Sequence, residues 1–384
     1  MADIETDGNL LNAVEETLPS HYYYDPAHYE RELQSIWYKN WIYICRVDEM
    51  KEPRSFKTID IGNQNILILR GDDGQLRAFH NVCRHRGSRL VAEKEGTFKS
   101  KYIVCAYHAW SYEQEGSLKA TTSKTCPANF KTEDQNLYDV AITNWHGFIF
   151  INLAGQEAMP MEECVQEGSA DLTNWDVDSL KVGHKFSKLM DCNWKIFWEN
   201  YNECLHCPTV HKSLADLVPI YKRGIMEPKD DPNWRDHIDS NDPKFVGGLR
   251  SGALTWTNDG QTIGPIFPKL NEEEIKKAYN YSEILPTAFI IGHVDYVRIV
   301  RLMPKGPEQT EVYVEWLFMP ETLDDPATDI TPAIEFSSNV LLEDASVAEL
   351  NQKGLRSIAY NQGTLMPEEH CISEFKKWVL NQLQ

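Results

Sequence analysis

The chain has 384 residues, 42% apolar and 11% aromatic, a composition that fills a core and excludes a disordered protein. Its 38 basic residues face 58 acidic ones, a formal charge of −20. That balance excludes nucleic acid or an anionic membrane surface as the main partner, because counterion release needs clustered Lys and Arg.

The opening, "MADIETDGNLLNAVEETLPS", lacks the basic and apolar regions of a signal peptide. No stretch reaches the roughly 18 to 20 apolar residues of a membrane span. The nine cysteines are not spread like a disulfide framework, and four of them sit beside histidines. A cytoplasmic protein with reduced thiols is expected.

In chain order, residues 26–41 place Tyr29, Leu33, Ile36 and Trp37 at helical spacing behind an Asp-Pro start, which predicts a helix. From 42 to 155 the texture is short β-type runs. "NILILR" and "LRAFHNV" flank "GDDGQ" as strand, turn and strand, and "KYIVCAY" and "HGFIFINL" are further strands. The soft stretch 154–169 is the expected boundary. Beyond it the pattern predicts a helix from about 193 through "ENYNECLHCPTVH", strands near 286–304 and 311–320, and closing helices near 334–357 and 367–383. The organisation is an N-terminal helical segment (1–41), a β-rich domain (42–155) and an α+β domain (156–384).

Two clusters carry chemistry. Cys83, His85, Cys105 and His108 read as C-x-H and C-x-x-H with nineteen residues between. A structural zinc site usually pairs Cys with Cys and His with His. Here each arm offers one of each, so two hairpin tips can give two thiolates to one iron and two imidazoles to another. That is the ligand set of a Rieske [2Fe–2S] centre. Arg84, Arg86, Arg89, Lys94, Lys99 and Lys101 make this the most basic stretch, either a docking face for an acidic reductase or arginines solvating the loops.

In the second cluster His206 and His211 stand five apart, about 140° around a regular helix. Pro208 between them disturbs the ladder, and a local π-type turn would bring both to one side. The third ligand can be argued from "NVLLEDASVAELNQKGLRS". Asp344 has Val340, Leu341, Val347 and Ala348 as its i±3 and i±4 neighbours. Glu343 shares Asn339 and Ser346, and Glu349 can pair with Lys353 on a wet face. Asp344 is the acid that points inward, where a metal partner removes the cost of burial. His206, His211 and Asp344 would form the 2-His-1-carboxylate triad of a non-haem Fe(II) oxygenase.

"CRHRGSRL…CAYHAW", "NWKIFWENYNECLHCPTVH" and "EDASVAELNQKGLRS" together resemble the Rieske non-haem iron oxygenases, alpha subunit. With "LPSHYYYDPAHYERELQSIWYKNW" the likeness spans nearly the whole chain. Ala106 and Ala109 depart from the family's usual Pro and Gly, and neither is a ligand. The resemblance implies an α+β fold, a Rieske domain followed by a helix-grip (START-like) catalytic domain. It also implies O₂ as co-substrate and a subunit ring, a homotrimer, in which the short electron path crosses between neighbours. Glu203 occupies the family's bridging position, where Asp is more usual, and would accept from His206 and from His108 of the adjacent subunit. Glu199 is the competing candidate.

Glu at that position resembles the branch acting on carnitine, glycine betaine and stachydrine. A quaternary ammonium compound would suit an aromatic pocket, for which Trp256, Tyr279, Tyr281, Tyr296, Tyr313 and Trp316 are candidates. An aromatic substrate, with mono- or dioxygenation or O-demethylation, stays open. So does a Rieske electron carrier, although that needs only about 42–155. No nucleotide-binding glycine motif occurs, so electrons would come from a separate flavin or iron–sulfur reductase fed by NAD(P)H.

Overall fold

The structure, a computed structural model, describes residues 8–165 and 172–384. Part of the expected boundary stretch, and the first seven residues of the N-terminal segment, lie outside the described residues. The chain divides into two compact units. One comprises Trp37–Gln166 with Ile284–Thr287, and the other comprises Met1–Ile36, Glu167–Glu283 and Ala288–Gln384. Among the described residues, no helix is long and apolar enough to cross a membrane.

The first unit is built on a seven-stranded antiparallel sheet. Its strands run in the order Ile42–Arg46, Phe148–Asn152, Asp139–Trp145, Leu76–His80, Gln64–Arg70, Ser55–Ile61 and Glu95–Thr97. "NILILR" and "LRAFH" pair as the pattern predicts, with Arg70 opposite Leu76, because Gly74 takes the left-handed backbone (φ +77°) that closes the turn. "KYIVCAY" is a strand only at Ile103–Val104. The chain turns next, with Ala109 N–H donating to Cys105 O at 2.9 Å. Ile103–Val104, Ser111–Tyr112 and Leu118–Ala120 form a small separate sheet.

In the second unit the N-terminal helix, Pro26–Glu32, begins where Asp25 accepts from Ala27 N–H at 2.8 Å and Pro supplies a preset φ. It then widens into a π-helical turn, Leu33–Trp37, and stops short of residue 41. Glu32 is fixed by two donors, Lys195 Nζ at 2.5 Å and Trp194 Nε1 at 2.8 Å. Both acid and amine are fully buried, so each charge depends on the other. This ties the N-terminal helix to the helix Trp194–Tyr201.

That unit's sheet has five antiparallel strands, in the order Lys181–Met190, Gln309–Phe318, Tyr296–Gly306, Ala288–His293 and Tyr279–Ile284. The outermost two were absent from the sequence expectation, because "KVGHKFSKLM" and "YNYSEI" are polar and only partly buried. The helix Thr331–Gly354 runs unbroken for 24 residues, with contacts to both the Trp194–Tyr201 helix and the strand Lys181–Met190.

Candidate active site

In the first unit Cys83 and Cys105 lie in the core, 3% and 2% exposed, among Leu67, Leu69, Phe79 and Tyr112. Cys83 Sγ lies 3.3 Å from Tyr112 Oη, and burial pushes its thiol up. The two histidines sit at the surface ends of the same loops. His85 and His108 meet edge to face with centroids 4.7 Å apart, and His85 stacks on Trp110 at 4.9 Å. Thiols inward and imidazoles outward is the arrangement a two-iron Rieske cluster needs, sulfur ligands on one iron and nitrogen ligands on the other. Ala109, where glycine is usual, adopts φ +54°, which explains the usual residue. Arg84 is spent on the carbonyls of Asp134 and Asn136, Arg86 on His108 at 3.0 Å and Arg89 on Asp60 at 3.4 Å. These three arginines solvate the loops.

In the second unit the segment 199–211 departs from the expected helix. The Trp194–Tyr201 helix ends at Asn202 (φ −97°, ψ 18°). His206 caps a separate short helix, Cys207–Val210, and His211 follows it in a non-helical conformation (φ −108°, ψ 67°). No π turn brings the two histidines together. Pro208 sits in the first turn of the short helix, where its missing N–H costs nothing, and the break at His211 turns that ring back toward His206. Nor do Glu203 and His206 share a helical face. Glu203 Oε2 accepts from the backbone N–H groups of Leu205 and His206, and Oε1 lies 2.5 Å from His206 Nδ1.

The expectation of reduced thiols fails at one place: Cys204 and Cys207, inside this loop, are joined by a disulfide. Two cysteines at i and i+3 across a tight turn are close enough to bond, with Cα atoms 4.9 Å apart.

The loop delivers two imidazole nitrogens to one carboxylate. Asp344 Oδ1 lies 2.7 Å from His211 Nε2 and 3.4 Å from His206 Nε2, and the two Nε2 atoms are 3.2 Å apart. The ligand atoms of His206, His211 and Asp344 all fall within 4.8 Å of one another. Each far ring nitrogen is held by an acid, His206 Nδ1 by Glu203 and His211 Nδ1 by Glu343 at 2.8 Å. That fixes the tautomer in which Nε2 is free to ligate. Burial opposes a charge on His206, but hydrogen bonds to Asp344 and Glu203 outweigh it and push its pKa up to about 9. The atoms that share protons here are those a divalent cation would take, and two imidazoles with one carboxylate suit ferrous iron.

Asp344 is 5% exposed, as its apolar neighbours predict. Glu343 went unrecognised, because at 42% exposure it reads in sequence as a wet-face acid. Glu349 contacts Lys188 at 3.8 Å and Asp191 N–H at 3.3 Å. Glu199 is engaged elsewhere: Tyr23 Oη donates to its Oε1 at 2.6 Å. Although Glu199 keeps some exposed surface, its carboxyl lies under Tyr23, which is 2% exposed. Burial pushes that carboxyl up to about 7, with Tyr23 and Lys195 offsetting only part of the rise.

The folded chain therefore holds this proton more tightly than the unfolded chain. The resulting contribution is lost as pH rises from about 4.5 to about 7. Glu199→Gln is expected to flatten that fall and raise the melting temperature at pH 8 by a few degrees, with little change at pH 5. Thermal unfolding of both proteins at the two pH values reads the difference.

Beside the triad lies a cavity of about 140 Å³. Its wall is aromatic: Tyr201, Tyr221, Trp256, Tyr279, Tyr281 and Phe289 line it, with Arg298. Of the six aromatics expected, Trp256, Tyr279 and Tyr281 are there. Tyr296 instead stacks on His293, Trp316 lies tilted against His184, and Tyr313 lies under Arg301. Tyr201, Tyr221, Phe289 and Arg298 carried no sequence signal that placed them here.

Residues 40–133 match the Rieske [2Fe-2S] domain, and residues 177–384 match the ring hydroxylating alpha subunit, catalytic domain. The chain belongs to the Rieske oxygenase alpha-subunit family. This oxygenase is 28% identical over 386 residues to the glycine betaine monooxygenase oxygenase subunit of Chromohalobacter salexigens, covering 94% of this chain and 84% of that one. It is 30% identical over 376 residues to the chloroplastic choline monooxygenase of Beta vulgaris, covering 96% and 77%. A solved quaternary ammonium Rieske monooxygenase, described in terms of carnitine oxidation by gut microbiota and inter-subunit electron transfer, shares its fold. The TM-score is 0.70 at 23% identity, covering 97% of this chain and 96% of that one.

Proposed function

We propose that this oxygenase is the terminal component of a multi-component system that oxidises a small quaternary ammonium compound. The observation that carries the proposal is the aromatic cavity opening onto His206, His211 and Asp344. A trimethylammonium group has no N–H to donate, so ring faces hold it by cation–π attraction and apolar contact. The similarity to glycine betaine and choline monooxygenases supports the same class.

Cys83, His85, Cys105 and His108 would hold the [2Fe–2S] cluster, and His206, His211 and Asp344 the mononuclear iron. When bound, these groups supply the electrons and the activation of O₂. The chain's own residues do the positioning. Glu203 and Glu343 hold the Nδ1–H groups of the two histidines and fix their ring planes. The aromatic wall keeps water from the reacting carbon and turns a methyl group toward the triad. The net change at that carbon is N–CH₃ + O₂ + 2e⁻ + 2H⁺ → N–CH₂OH + H₂O. The carbinol on a quaternary nitrogen then loses formaldehyde and a proton, leaving the tertiary amine.

Electrons would come from NAD(P)H through a separate flavin or iron–sulfur reductase. In a homotrimeric ring Glu203 would bridge His206 to His108 of the neighbouring subunit, and the system would work in the cytoplasm.

The test is oxygen uptake with a generic reductase against panels of quaternary amines and aromatic acids, with formaldehyde assayed in parallel. Uptake with formaldehyde release from a methylammonium compound is the expected result. Uptake with aromatic acids alone would overturn the proposal.

A further inference from the structure

Arg298 lies in the strand Tyr296–Gly306, opposite Ile291 and Trp316, and lines the cavity together with Ile291 and Val300. It is 6% exposed, and its Nε is buried with no hydrogen-bond partner. No ion pair reaches its guanidinium among the described residues. Three acids line the cavity, and each is already engaged. Asp344 is shared by His206 and His211, Glu203 is taken by His206, and Glu227 lies 3.4 Å from Lys277. The charge of Arg298 acts on Tyr201, His293 and Tyr296. Arg301, three residues along the same strand, shows the contrast, with Glu311 at 3.7 Å.

A guanidinium carries a permanent charge, and enclosing it without an anion is costly. Such a cost persists in a fold when something else supplies the anion. The planar fork of a guanidinium matches a carboxylate through two parallel N–H···O bonds. The cavity thus offers an anion-binding end at Arg298 and a cation-binding aromatic wall. A cavity of roughly 150 Å³ takes a ligand about the size of benzene, so a ligand here is short.

We infer that Arg298 anchors the carboxylate of the substrate, which is therefore a zwitterionic trimethylammonium carboxylate rather than a trimethylammonium alcohol. The inference rests on the quaternary ammonium reading above and narrows it. Arg298 is the specificity determinant, and the aromatic wall alone would not separate the two classes.

The experiment is equilibrium binding by calorimetry to the metal-loaded full-length protein, without reductase, using glycine betaine, choline and benzoate. Wild type, Arg298→Gln and Arg298→Lys are compared, and the melting temperature of each is recorded without ligand. Wild type is expected to bind glycine betaine at least about 100-fold more tightly than choline, and Arg298→Gln to collapse that ratio to within about threefold. Arg298→Lys should retain part of the ratio, because it keeps the charge and loses the fork. Ligand-free Arg298→Gln should melt no lower than wild type, since it loses a charge without a partner.

Equal affinity of the wild type for glycine betaine and choline, with both unaffected by Arg298→Gln, would overturn the inference and leave the quaternary ammonium proposal standing. Binding of benzoate alone, lost in Arg298→Gln, would keep Arg298 as a carboxylate anchor but overturn the quaternary ammonium proposal and, with it, the zwitterionic substrate. A fall of equal size for all three ligands, with a lowered melting temperature, would reduce Arg298 to a structural residue and overturn the inference.

Discussion

Asp344→Ala is expected to reduce the iron content from about three to about two atoms per chain, with the [2Fe–2S] signal of the reduced protein retained. Turnover should fall by at least about 10³-fold, because the mononuclear centre supplies the oxygen chemistry. The reason lies in the geometry. Among the described residues, Asp344 Oδ1 is the one carboxylate oxygen within reach of both Nε2 atoms. Its replacement leaves two imidazoles and no anion to offset a divalent charge. Glu343 cannot substitute, since its carboxylate is on the far side of His211, at Nδ1. Metal analysis, the reduced-state paramagnetic spectrum and oxygen uptake check the three parts separately. A variant that keeps its third iron and its turnover would remove Asp344 from the ligand set.

Glu203→Gln should separate chemistry from electron supply. The substitution preserves shape, and the amide oxygen can still accept from His206 Nδ1, so iron content is expected to stay near the wild-type value. What is lost is the charged acceptor that, in the proposed bridge, would serve His206 and a neighbouring subunit's His108 at once. Single-turnover transfer from the reduced cluster should slow by roughly 10²-fold, in the range seen when carboxylates holding metal-bound histidines are removed. Rapid-mixing absorbance at the cluster band reads this directly. Full coupled turnover in Glu203→Gln would discard the bridging role. Glu199 offers no alternative route in this subunit, because its carboxyl is turned to Tyr23.

Much of this was legible in the residues. Cys83, His85, Cys105 and His108 stand out as candidate ligands because metal-ligand chemistry restricts both residue type and spacing. Asp344 could be chosen over Glu343 and Glu349 because helical periodicity fixes which neighbours each acid has, and a buried charge needs a partner. The hairpin at "GDDGQ" and the long helix near 334–357 were equally plain, since local backbone preferences and a sustained period suffice for them.

The loop holding His206 and His211 was not legible in the same way. Reasoning from a continuous helix required a π turn. The chain instead breaks twice, at Asn202 and at His211, and packing in three dimensions chooses those breaks. The role of Glu343 was hidden because its exposure is that of a surface acid, while its contact is with a histidine 132 residues away.

The sequence by itself therefore carried the candidate ligand types, their order along the chain, and the change of texture from β-rich to α+β. Periodicity and ligand spacing are local properties, and a linear chain carries them openly. Only the tertiary structure decided which aromatics face the cavity, that Glu343 holds the imidazole of His211, and that Arg298 stands there without a counter-charge among the described residues. Those facts depend on strands and helices far apart in sequence, whose pairing register sets where each side chain points.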